Sequence, residues 1–150
     1  VTLGCMGMRR EGFSGAGGWT AGSVVAHGVD VCECGRIASV LARHGGRFVD
    51  RVFTDAEAVY AGENAKRRAE RLAARFAAKE AAMKALGTGW AEGVGWRDVW
   101  VERGASGEPR LVVAGAAGEI AARRGIGGWL VSLSHTRTVA MASVIGLASG

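Results

Sequence analysis

The sequence predicts an α+β domain, on three observations. A long stretch dense in Ala, Arg, Lys and Glu ends at Gly87-Thr88-Gly89, apolar strand-like segments lie near both ends of the chain, and the turn-rich run Gly104 to Pro109 separates two further apolar segments. At 150 residues the chain has the size of one ordinary domain, enough to bury a core without disulfides or a structural metal.

Residues 1–23 are rich in Gly, Ser and small side chains and show no period, so they are expected to form a flexible extension. The domain is expected over 24–146, with a short tail at 147–150. Val24-Val25-Ala26-His27-Gly28-Val29-Asp30-Val31 reads as a largely buried strand, where Gly28 permits close approach of a backbone or ligand and Asp30 emerges near the strand end. Arg36, Ile37, Val40, Leu41 and His44 fall at helical spacing, and Gly45-Gly46 is expected to stop that helix. Phe48, Val49, Val52 and Phe53 continue an apolar face into Thr54-Asp55-Ala56-Glu57, whose Thr-x-x-Glu form is a capping box opening a second helix.

The long helix is expected over about Ala65 to Leu86. Trp96 to Glu102 and Arg110 to Ala114 read as an antiparallel pair, and Ala116 to Arg124 as a short helix. Trp129 to Ser134 and Val139 to Ile145 then form two strands around a tight turn at 135–137.

The formal charge is +5 and the pI about 9.7, which favours polyanionic or phosphorylated partners. Between Glu63 and Lys84 seven basic residues face three acids, so most of the excess lies on one helix. The five tryptophans are scattered over loops and strand starts rather than interleaved with that helix, which argues against a nucleic-acid surface. The apolar run Thr138 to Ala148 is too short for a membrane span. Cys5, Cys32 and Cys34 are an odd count without a pairing framework, which points to the reducing cytoplasm. Cys32 and Cys34 read as small core residues rather than zinc ligands, because their spacing departs from the usual ligand pairs.

On the long helix Phe76, Glu80, Lys84 and Thr88 recur every four residues and share one face. Taken alone, Glu80 and Lys84 are an ordinary surface pair worth about 0.3–0.5 kcal/mol. With Asp30, they suggest two carboxylates around a hard divalent cation beside a phosphate, with a lysine sharing the charge.

Four motifs extend this: Gly28-x-Asp30-x-x-Glu33, Thr54-x-x-Glu57, the run Arg75-Phe76-Ala77-Ala78-Lys79-Glu80-Ala81 continuing through Lys84-Ala85-Leu86-Gly87-Thr88-Gly89, and Ser132-Leu133-Ser134-His135-Thr136. In that order they resemble the holo-acyl-carrier-protein synthases, the small class of 4′-phosphopantetheinyl transferases, from about residue 24 to 146. The resemblance implies an antiparallel sheet wrapped by a long helix and shorter helices. It also implies a homotrimer with an active site at each subunit interface, which moves phosphopantetheine from coenzyme A to a serine of an acidic acyl carrier protein. By the same resemblance Asp30 and Glu80 are Mg2+ ligands and, with Lys84, the catalytic set. Lys66, Arg75, Lys84 and His135 line the coenzyme A and phosphate region, and Arg36 faces the carrier protein. Arg43, Arg47 and Arg51, on the same basic segment as Arg36, are further candidates for that partner surface.

Overall fold

The structure, a computed structural model, describes residues 23–91 and 93–150. Apart from Ser23, the expected N-terminal extension lies outside them, as do Cys5 and Trp19. Strand β1 (Val24–Glu33) leads into helix α1 (Cys34–Val52), α2 (Asp55–Gly62) and the long α3 (Arg68–Leu86). The hairpin β2 (Val99–Arg103) and β3 (Pro109–Val113) follows, then α4 (Gly115–Arg123), β4 (Ile126–His135) and β5 (Val139–Ala148). All pairings are antiparallel: β5 lies between β1 and β4, and β2 pairs with β3 in a separate two-stranded sheet.

The core forms where α3 crosses the three-stranded sheet. Ala73, Ala77, Ala78, Ala81 and Ala82 are fully buried on the helix, with Leu72, Met83 and Leu86 filling the space beside them and Ala140, Ala142 and Val144 facing them from β5. Small side chains on both surfaces bring helix and sheet unusually close. The closest point is Gly28 of β1, where an added Cβ would lie 2.0 Å from the carbonyl oxygen of Ala81 and 2.7 Å from the amide nitrogen of Ala85. The close approach that the glycine permits is therefore to the backbone of α3.

Three local expectations change. Gly45-Gly46 does not end the first helix: Gly45 takes φ 49° and ψ −127°, which kinks it, and the segment continues to Val52 because Val49 and Val52 are drawn into the core. Trp96 to Asp98 is a single 3-10 turn, so the following strand begins only at Val99. Gly87, at φ 67°, donates to the carbonyls of Met83 and Lys84 and closes α3 at Leu86, which removes Thr88 from the helical stripe. The capping box is present: Thr54 Oγ1 accepts from the Glu57 amide at 3.3 Å, and Glu57 accepts from the Thr54 amide at 3.0 Å.

Cys32 and Cys34 are buried free thiols in the core, and burial pushes the Cys32 thiol up to about 11. Among the described residues the opposite face of the sheet has no such cover: Val29, Val31, Leu130 and Met141 are all exposed there. Among the described residues no helix is long and apolar enough to cross a membrane.

Replacing Gly28 with alanine forces strand and helix apart against main-chain atoms that cannot swing away. The expected loss is at least the about 1–3 kcal/mol of an overpacked core, read as a lower urea midpoint than wild type.

Candidate active site

Where β1 passes α3, Asp30 meets the last turns of the helix. Lys84 Nζ donates to Asp30 Oδ1 at 2.8 Å and to the carbonyl of Val29 at 3.1 Å. Glu80, one turn earlier on the same face, is also close enough to act on the Lys84 charge. The hydrogen bond that Lys84 donates to Asp30, the Asp30 charge and then that of Glu80 hold the Lys84 ammonium above its ordinary pKa. Lys84 therefore reaches across to the strand rather than forming an isolated surface pair with Glu80. Two acids fifty residues apart flank one cation.

A short aromatic stack backs this cluster. The Trp90 indole N–H donates to Glu80 Oε1 at 3.2 Å. Its ring lies on Trp96 with centroids 3.7 Å apart, and Trp96 in turn stacks on Phe76 at 5.1 Å. Arg36 on α1 approaches the outer face of Phe76 at 6.0 Å. Behind the stack Lys79, fully buried, pairs with Glu57 at 2.9 Å and donates to the carbonyls of Trp96 and Val99. Burial pulls the Lys79 ammonium below its ordinary pKa, and Glu57 opposes that shift. The second Glu57 oxygen accepts from the Val101 amide at 3.1 Å, so this one carboxylate ties α2, α3 and β2 together.

The other expected site residues gather elsewhere. At the N-terminal end of α3, Arg67 donates to His135 Nε2 at 3.3 Å, and Glu70 Oε2 lies 3.6 Å from His135 Nδ1. Arginine has no acceptor, so Nε2 must be the unprotonated nitrogen and Nδ1 carries the proton, which it donates to the Thr136 carbonyl at 3.4 Å. Lys66 is exposed in the turn just before α3. His135 and Arg75 line a cavity of about 220 Å³ together with Tyr60, Arg71, Arg103 and Leu133. Three guanidinium groups crowd the Tyr60 ring there, those of Arg75, Arg71 and Arg103 at 3.9, 4.4 and 5.2 Å from its centroid. Arg75 is 5 % exposed and burial works against its charge, while its Nε is without a hydrogen-bond partner.

Glu70 and Glu80 are ten residues apart on one helix, about 15 Å at 1.5 Å per residue. The structure thus brings together Asp30, Glu80 and Lys84 toward the C-terminal end of α3, sets His135 beside Arg67 at the N-terminal end with Lys66 in the preceding turn, and joins Arg75, mid-helix, to His135 in one cavity. Among the described residues, Asp30, Glu80 and Lys84 do not line that cavity. Among the described residues no three or more His, Cys, Asp and Glu side chains converge. A metal held by Asp30 and Glu80 would complete its shell with water and substrate oxygens, as the hard cation Mg2+ does.

The profile of the 4′-phosphopantetheinyl transferase superfamily matches residues 26–141. The chain belongs to that superfamily. It is 47 % identical to the holo-acyl-carrier-protein synthase of Gloeobacter violaceus over 126 residues, covering 83 % of this chain and 95 % of the relative. The synthase of Solibacter usitatus is 43 % identical over 122 residues, covering 81 % and 97 %. Among solved structures, the synthase of Neisseria meningitidis superposes with a TM-score of 0.74 at 29 % identity, over 83 % of this chain and 98 % of that one. The Bacillus anthracis synthase in complex with coenzyme A (3′,5′-ADP) gives 0.69 at 31 %, over 84 % and 98 %.

Arg36 and Arg43 are both exposed on α1, and Arg43 donates back to the Ser39 carbonyl at 3.4 Å. Sequence reasoning missed Trp90, Arg67 and the Lys79–Glu57 pair. Arg67 sits beside the expected Lys66, but nothing in the linear pattern joins it to a histidine 68 positions away. Lys79 did carry a signal: it follows four residues after Arg75 inside an otherwise alanine face, where a charge must be paired.

Lys79→Met leaves the Glu57 carboxylate buried without its cation and should lower stability by about 3–5 kcal/mol. Adding Glu57→Gln should recover part of that loss, so urea denaturation is expected to rank the double variant above the single one.

Proposed function

We propose that this transferase moves the 4′-phosphopantetheine group from coenzyme A to a serine hydroxyl of an apo acyl carrier protein, with Mg2+, releasing adenosine 3′,5′-bisphosphate. The observation that carries the reading is the Asp30–Lys84–Glu80 cluster, two hard carboxylates around a place where a cation already sits. Asp30 and Glu80 would hold Mg2+, which supplies charge neutralisation at the pyrophosphate when bound. The serine oxygen attacks the β-phosphorus, a new P–O bond forms, and the bond to the bridging oxygen breaks with its electrons leaving on the adenosine bisphosphate. Lys84, kept protonated by its acids, acts as a fixed positive charge for that leaving group and not as a base. The serine proton passes to Glu80 or to a water that it holds.

His135 and Lys66 lie by the N-terminal end of α3, and Arg75 shares a cavity with His135, so we read a single chain as offering two half-sites. We read the catalytic unit as a homotrimer in which the acids of one copy face the basic cavity of the next. The exposed apolar sheet face of Val29, Val31, Leu130 and Met141 supports packing between copies. Arg36, Arg43, Arg47 and Arg51 give α1 a basic exposed surface suited to an acidic carrier protein. Free thiols at Cys32 and Cys34 suit a cytoplasmic setting, where carriers of fatty-acid or polyketide synthesis would be the substrates.

Incubation with coenzyme A, Mg2+ and a panel of apo carriers should add one phosphopantetheine mass to at least one carrier; no gain on any carrier would refute the reading. Asp30→Asn and Glu80→Gln are expected to abolish transfer with the fold intact. Lys84→Ala should lower kcat more than it raises the KM for coenzyme A, and because Asp30 and Glu80 hold its ammonium above the ordinary lysine range, Lys84 contributes no loss of rate near neutral pH. Sharing of the site is read by mixing: Asp30→Asn and His135→Ala chains, each inactive alone, should regain transfer after co-refolding, and mixtures that stay inactive would place the site within one chain.

A further inference from the structure

We infer that Trp90 is a positioning residue for Glu80, its indole N–H fixing one carboxylate oxygen so that the other is presented to the metal. The inference rests on the reading of Asp30 and Glu80 as the metal carboxylates. Local backbone geometry places the ring. Gly87 and Gly89, at φ 67° and 58°, turn the chain after α3, and the Trp90 side chain reaches back to Glu80. The donor is then aimed at Oε1, 3.2 Å away, while Oε2 has no protein donor among the described residues.

The indole is itself held. Trp96 covers it at 3.7 Å, Phe76 covers Trp96, and Phe76 stands one turn before Glu80 on the same helix face. The Trp96 carbonyl accepts from buried Lys79 at 3.1 Å, and Lys79 is locked by Glu57. A neutral donor suits this task, since it orients the carboxylate without cancelling the charge the metal needs. A cation at the same spot would compete with the metal. Groups that hold a metal ligand in this way set its affinity as strongly as many direct contacts, commonly by 10-fold or more on removal, an estimate of about 10–100-fold.

The test uses the whole chain with coenzyme A bound, titrated with Mg2+ and followed by calorimetry. Trp90→Phe keeps the stacked ring and removes the donor. It should weaken Mg2+ binding about tenfold while the KM for coenzyme A changes less than about twofold. Glu80→Gln is the control. Loss of Mg2+ binding in Glu80→Gln together with wild-type binding in Trp90→Phe overturns the inference and leaves the metal reading standing; wild-type binding in Glu80→Gln overturns both. A second measurement needs no variant: in the 15N spectrum of the wild-type protein the Trp90 indole signal should shift on Mg2+ addition, and that of Trp129 should not. An unmoved Trp90 signal at saturating Mg2+ equally sinks the proposal.

Discussion

The close contact between Gly28 and the backbone of Ala81 fixes the relation of strand to helix from which the site follows. With any side chain at residue 28 the strand would stand off, because the atoms it would meet are the Ala81 carbonyl and the Ala85 amide and not a movable side-chain tip. Asp30 lies two residues along the same face of β1, paired with Ala142 of β5, and Lys84 lies one turn past Glu80 on α3. The 2.8 Å bond between Asp30 and Lys84 is therefore a consequence of main-chain packing. The alanines that make α3 look like a solvent-exposed, propensity-driven helix are what let it lie this low on the sheet.

Glu57 and Lys79 perform the matching task behind the site. A buried ion pair is a weak source of net stability, since desolvation of both charges offsets most of their attraction. Its value here is registry. Glu57 accepts from the Thr54 and Val101 amides while Lys79 donates to the Trp96 and Val99 carbonyls, so the pair connects the start of α2, the middle of α3 and the entry to β2. An apolar pair of equal volume would fill the space but would not fix where residue 96 sits, and the aromatic stack against Glu80 depends on that position.

Much of this was legible in the linear pattern because it is local. The capping box at Thr54, the helix stop at Gly87 and the turn between β2 and β3 are set by a few neighbouring residues, and each stands where the sequence puts it. Asp30, Glu80 and Lys84 were legible as a chemical set through the motif order, and geometry unites them. What was hidden is non-local or set by tertiary demand. Gly45-Gly46 reads as a stop by propensity, yet the core's need for Val49 and Val52 carries the helix through it with a kink. Arg75 reads as a coenzyme A-lining residue from the motif, while its stacking on Tyr60 at 3.9 Å, a contact between residues on different helices, is one that no periodicity reveals. The scattered tryptophans gave no pattern because Trp90 and Trp96 meet only after the chain turns back between them, where Gly93 takes φ 79°.

The charge arrangement explains why the cluster is stable before any substrate arrives and still able to receive one. Asp30 and Glu80 alone would repel across a partly dry surface, and Lys84 between them leaves a formal charge of one minus. That surplus is small enough to tolerate beside the core and large enough to favour a divalent cation. On the proposed reading, a bound divalent cation would turn the sum to one plus, which would suit an incoming pyrophosphate. Lys84, 55 % accessible on a long stem, would then be free to turn its ammonium to the phosphate without disturbing β1 or α3. Asp30, only 16 % accessible, stays fixed by the strand. One partner is exposed and the other held by the strand, so under that proposal the ion pair of the free chain would separate when metal and substrate bind, Asp30 to the metal and Lys84 to the phosphate.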